Sequence, residues 1–89
     1  MNIRERFDKA VDSLYETNHY LAAEITKLGY PKLISSQVIP TAGVAWDPIK
    51  KKVSFLFNEN FAKTLTDEEF TFVVAHEAIH VVKIGRAHV

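Results

Sequence analysis

The sequence predicts a small α+β domain, and three observations predict it. Apolar residues recur at three- and four-residue steps through the first 28 positions, the spacing of one buried helix face. A later segment, Lys52-Val53-Ser54-Phe55-Leu56-Phe57, alternates with the period of a strand that has one face in the core. A second helical segment then opens sharply at Thr66 with a capping sequence. The chain has 89 residues, room for one domain of this kind and too little for two. Helix, hairpin and helix in that order place antiparallel strands against helices, with the second helix covering one face of the sheet.

The first helix reads as one long element from about Ile3 to Leu28. Its stripe is Ile3, Phe7, Ala10, Val11, Leu14, Leu21, Ala22, Ile25 and Leu28, interrupted at Thr17-Asn18-His19, where the helix bends or divides. Gly29 follows the last apolar position and Pro31 comes two residues later, which together make a stop signal. The strands come next. Thr41 to Trp46 is one β-prone run, Lys52 to Phe57 is the other, and Asp47-Pro48-Ile49-Lys50-Lys51 between them carries turn chemistry. Val38-Ile39, just before Pro40, reads as a further short strand. The basic run Lys50-Lys51-Lys52 has no other cluster of cations near it and is expected to be a solvated hairpin tip. In the second helix Thr66 is the N-cap and Glu69 its capping-box partner, with Asp67, Glu68 and Glu69 at the positive end of the helix dipole. Beyond them Phe70, Val73, Val74, Ala75, Ala78, Ile79, Val81 and Val82 are apolar on several sides, so this helix is expected to be buried.

Composition narrows the chemistry. Lys and Arg total 11 against 11 Asp and Glu, and that balance argues against a nucleic-acid or anionic-membrane binder. With no cysteine, disulfides, cysteine-zinc sites and thiol catalysis are all excluded. Any metal must be held by His, Asp or Glu. No targeting segment is visible, and the longest apolar run, Phe72 to Ala75, is far short of the roughly 20 residues that span a bilayer. A soluble cytoplasmic protein is the expectation.

The residues that carry chemistry lie in the second helix. His76-Glu77-Ala78-Ile79-His80 is an H-E-x-x-H motif. Histidines four apart share a helix face, with Cβ atoms about 5–6 Å apart, so both imidazoles can lean toward one zinc ion. Glu77, about a quarter turn round the helix, points beside the metal. There it is placed to take a proton from water as general base for peptide-bond hydrolysis. Two histidines and a glutamate without partners on a packed helix would each carry a desolvation cost, which a shared metal removes.

The stretch Val73 to Val82 resembles the extended signature of the zincin metallopeptidases. With Asn58-Glu59-Asn60-Phe61 and Leu65-Thr66-Asp67-Glu68-Glu69 ahead of it, the chain is similar to one group in particular. These are bacterial and phage metallopeptidases whose N-terminal domain precedes a von Willebrand-A-like region. The resemblance implies a zincin-like N-terminal subdomain, His76 and His80 as zinc ligands, Glu77 as catalytic base, and a peptide or protein substrate. It further implies that the strand around Thr41 to Trp46 is the edge along which substrate aligns.

A catalytic zinc takes three protein ligands plus water, and in zincins the third lies downstream of the motif. Here Lys83 and Arg86 stand where the extended metzincin spacing places glycine and a third histidine. His88 is eight residues past His80, about 12 Å along an unbroken helix, so it reaches the metal only if Gly85 breaks the helix. His19 is the other histidine, and it reads as a surface or capping residue. Ile84-Gly85-Arg86-Ala87-His88-Val89 resembles the translation of a common sequencing-library adapter, with Lys83 at the junction. Residues 1–82 are therefore expected to be the N-terminal part of a metallopeptidase domain, incomplete, and 83–89 a non-native tail. The natural protein would then continue differently past Val82 and carry the third ligand, leaving this chain weakly active or inactive. The competing readings are a non-catalytic α+β interaction domain with a structural or remnant metal site, and a different zincin of the stress-response or toxin-linked kind. Histidines packed against apolar groups would favour the first of these, and histidines opening to solvent would favour the enzyme.

Overall fold

The computed structural model describes residues 2–27 and 31–87, with side chains through Lys83. Helix α1 (Ile3–Thr17) starts at Asn2, whose side chain accepts from the Glu5 N–H while Glu5 reaches back to the Asn2 N–H. Its buried face is Phe7, Ala10, Val11 and Leu14, four of the positions in the predicted stripe. The expected single helix is in fact two. At Asn18 the backbone leaves the helical region (φ −146°, ψ 78°), and the Asn18 side chain accepts from the Leu21 N–H at the start of α2 (His19–Lys27). A short amide side chain that can bond the backbone competes with the helix ladder, so the interruption divides the element. The α2 stripe is Leu21, Ala22 and Ile25. Leu28 and the stop signal at Gly29 lie outside the described residues.

Three strands form one mixed sheet: β1 (Lys32–Ser35), β2 (Ala42–Asp47) and β3 (Lys52–Phe57), in the order β1-β3-β2. The β2–β3 hairpin is as expected, antiparallel with Ala42 opposite Phe57 and Asp47 opposite Lys52. Its turn is held by the Asp47 carboxylate, which accepts from the N–H groups of Ile49 and Lys50, and Lys51 takes a left-handed conformation (φ 53°). The three lysines are solvent-exposed, as expected for a hairpin tip. The strand expected at Val38-Ile39 is not there. Val38 is 93% exposed, and the added strand is Lys32–Ser35, which runs parallel to β3 with Leu33 opposite Phe55. Each of its residues pairs with one 22 positions further along the chain, so no local pattern announces the pairing.

The inward face of the sheet is Val53, Phe55 and Phe57 of β3, with Leu33, Ala42, Val44 and Trp46 packed beside them. Phe7 of α1 meets Phe55 and Phe57 edge-on, with ring centroids 5.1 and 6.4 Å apart, and Phe70 stacks on Phe57 at 5.4 Å. Pairs at these separations add to the area they bury. The helices lie on this face, giving two layers, α over β, as the α+β prediction requires.

After β3, Asn58 turns the chain. Its Oδ1 accepts from the Phe61 N–H, capping the short helix α3 (Glu59–Lys63), and its Nδ2 donates to the Ile39 carbonyl. Helix α4 (Asp67–Ala87) follows. The predicted capping box is present: the Glu69 N–H donates to the Thr66 hydroxyl, and the Thr66 N–H to the Glu69 carboxylate. The helix is not buried on all sides, contrary to expectation. Phe70, Val74, Glu77, Ala78 and Val81 face the core, while Phe72 is 72% and Ile79 43% exposed. Among the described residues no helix is long and apolar enough to cross a membrane.

One side chain ties these pieces together. The guanidinium of Arg6 in α1 donates to the carbonyls of Ala62, Leu65 and Thr66, and lies over the Phe70 ring at 4.4 Å. Those carbonyls belong to the end of α3 and the turn into α4; Ala62 also accepts from the Leu65 N–H and Thr66 from the Phe70 N–H, so the guanidinium adds a second donor at each of these two. Arg6→Ala is expected to cost about 2–4 kcal/mol in urea denaturation, since charge-assisted bonds and a stacked cation are lost together.

The cap of α4 gives a second expectation. Hydrogen bonds from the backbone and the hydroxyl of Thr66 hold the Glu69 carboxyl below its ordinary value of 4.5. A depressed carboxyl contributes stability above its unfolded value, and that contribution fades as pH falls through the folded one. Stability is therefore expected to decline on acidification below 4.5, and Thr66→Ala to flatten that part of the pH profile measured by denaturant midpoint.

Candidate metal site

The geometry of the H-E-x-x-H segment follows from the helix that carries it. α4 runs unbroken through the motif to Ala87, so residues 76 and 80 stand one above the other on one side. The Nε2 atoms of His76 and His80 are 3.3 Å apart, with their rings edge to face and centroids 4.9 Å apart. Both histidines are exposed. They are not packed among apolar groups, which is the arrangement a remnant site would have.

Glu77 stands apart from them in burial. It is 8% exposed and is the buried charged residue of the described core. At about 100° per residue it lies on the flank of the core-facing arc, nearer His80 than His76 in angle. No hydrogen bond or ion pair to its carboxylate is found among the described residues. Its carboxylate oxygens are not among the buried side-chain atoms that lack a partner, so the acid group reaches solvent beside the imidazoles. One ligand atom from each of His76, Glu77 and His80 lies within 4.8 Å of the other two. Two imidazole nitrogens and a carboxylate at that spacing could hold a metal ion.

The other predicted donors do not join this group. His19 opens α2 and packs its ring against Tyr15, with centroids 5.5 Å apart. The break at Gly85 that His88 would need is not present, because α4 continues through Gly85. His88 itself lies outside the described residues. A separate open cavity of about 390 Å³ sits where α1 meets the first turn of α4, lined by Arg6, Lys9, Asp12 and Phe70 among others, and contains none of the three motif residues.

One feature near the site was not foreseen. Phe72 and Ile79 are exposed on the same side of α4 as the histidines, which the sequence could have shown had each apolar position been placed on the helix circumference. The segment Thr41 to Trp46, read from the sequence as an edge, does supply an edge strand, β2, and it packs against α4.

The place of Glu77 on the packing arc makes a stability prediction that needs no activity assay. In the metal-free chain, Glu77→Leu is expected to raise unfolding free energy by about 1 kcal/mol, because a residue that is 8% exposed gains buried apolar surface there. Denaturant titration in the presence of a chelator measures it, and a loss of stability would show that the position does not accept an apolar side chain. Comparison with known proteins adds no relative to this picture: the chain matches no protein family, no curated protein and no solved structure.

Proposed function

We propose that the chain carries the metal-binding segment of a zinc-dependent peptidase of the zincin kind, acting on peptide or protein substrates. The observation that supports this most is the clustering of the Glu77 carboxylate with two exposed imidazoles, one ligand atom from each lying within 4.8 Å of the other two. A structural site needs only ligands, whereas hydrolysis needs a proton acceptor next to them as well. The histidine spacing favours zinc. Two ligands about 2.05 Å from a tetrahedral zinc are about 3.3 Å apart, and the two Nε2 atoms are 3.3 Å apart.

The residues divide the work. His76 and His80 hold the ion through Nε2. When bound, zinc supplies a Lewis acid that polarises the scissile carbonyl and makes water acidic enough to attack near neutral pH. Glu77 accepts the proton of the attacking water on a carboxylate oxygen, holds it there, and delivers it to the departing amine nitrogen. The packing of α4 holds Glu77 in place beside the imidazoles, with the residue 8% exposed. The free edge of β2, with its partner strand β3 on the other side, offers backbone N–H and C=O groups to an extended peptide. Three protein ligands are the rule for a catalytic zinc, and the described residues offer two imidazoles. Two imidazoles alone would bind zinc weakly and support slow turnover.

Glu77→Gln is expected to keep zinc affinity within a few-fold and to lower the cleavage rate of an unstructured peptide by about 10²–10⁴, the range for removing a general base. His80→Ala is expected to remove zinc uptake in calorimetric titration and cleavage with it. Proteolysis that persists in the Glu77→Gln protein, or that survives a chelator, would overturn the proposal.

A further inference from the structure

The two imidazoles on α4 occupy half of a tetrahedral shell. Among the described residues, nothing but Glu77 joins them in a metal-binding group. Glu77 sits on the flank that turns toward the core, while His76 and His80 face outward. The surface around them is unusual for a side meant to meet water, since Phe72 is 72% and Ile79 43% exposed. Phe72 is one turn before His76, and Ile79 lies between the two histidines on the outer side of the helix. Ligand atoms that are half a set, flanked on one side by two exposed apolar side chains, are what one half of a shared site presents.

We propose that a second copy of this chain completes the site, with one zinc ion enclosed by four imidazoles, His76 and His80 from each copy. This rests on reading those histidines as zinc ligands, and it goes beyond that reading by naming what fills the shell. A two-fold axis through the ion makes the contact self-complementary. With the two α4 helices antiparallel, His76 of one copy faces His80 of the other, and Ile79 of each falls beside the axis. The chain has no net formal charge, 11 basic against 11 acidic residues, so two copies approach without net repulsion. A shell of four protein ligands is closed and leaves no position for water. The paired form therefore stores the metal, and hydrolysis belongs to the single copy.

The test is to titrate the full chain with zinc chloride while following mass by light scattering and counting bound zinc. The metal-free protein is expected at its chain mass of 10.1 kDa. Zinc should double that mass with one ion per two chains, and a chelator should reverse it. His80→Ala should stay single at every zinc level. Phe72→Ser combined with Ile79→Ser should raise the zinc needed for half-pairing by about tenfold or more. These positions are exposed, and the parent chain's own stoichiometry decides the matter if any variant fails to fold. One zinc per chain at unchanged mass would overturn the bridge while leaving the zinc-ligand reading intact. Doubling without zinc would overturn the bridge too, and absence of zinc uptake would overturn both.

Discussion

The guanidinium of Arg6 is the point at which the ends of this fold are joined. Its donors reach backbone carbonyls 56, 59 and 60 residues further along the chain, and its face lies on Phe70. Everything downstream takes its position from that junction. Phe70 stacks on Phe57 in the centre of the sheet, and Phe57 meets Phe7 one residue on from Arg6. The start of α4 is thereby pinned to α1 and to β3 at once. Because α4 is one rigid rod, the placement of its first turn fixes where the motif residues two turns later stand relative to β2. The side chain is only 14% exposed, so its bonds are shielded from competition with water. Its ion pair with Asp67, which is largely in solvent, adds little.

A second tension runs along α4 itself. The helix uses one arc for packing, and Glu77 falls on it. For packing alone an apolar residue would serve better, as at Val74 and Val81. The proton transfer proposed above would instead use a carboxylate here, beside the imidazoles. Departures from the best packing choice gather at functional sites.

How much of this was legible in the sequence depends on the range of each interaction. The β2–β3 hairpin, the capping box at Thr66 and the H-E-x-x-H geometry are local. Their partners lie within a few residues, so periodicity and spacing were enough to locate them. The division at Asn18 was visible as an interruption, and only its outcome was open. β1 was not legible because it pairs with β3 in parallel, and a four-residue strand carries too short a pattern to declare itself without its partner. Arg6 was unreadable for the same reason, lying in a mixed-charge helix start where an arginine signals nothing. The expectation of a buried α4 failed at Phe72 and Ile79, because hydrophobicity was counted along the helix and not around it. Within the site, residue identities and ligand spacing were readable. The burial of Glu77 was not, since it depends on what the rest of the chain packs around it.

The position of β3 in the sheet has a consequence for how the domain assembles. β3 is the last strand to be synthesised and the middle strand in space, so β1 and β2 have no neighbour until it arrives. No partial sheet of the first two strands can form ahead of it, and both pairings are gained in one event. Loss of β3 removes them together. The sheet therefore opens and closes as a single cooperative unit. Its edge beside α4 exists only in the fully assembled molecule, which keeps an exposed strand edge away from other nascent chains until the core is closed.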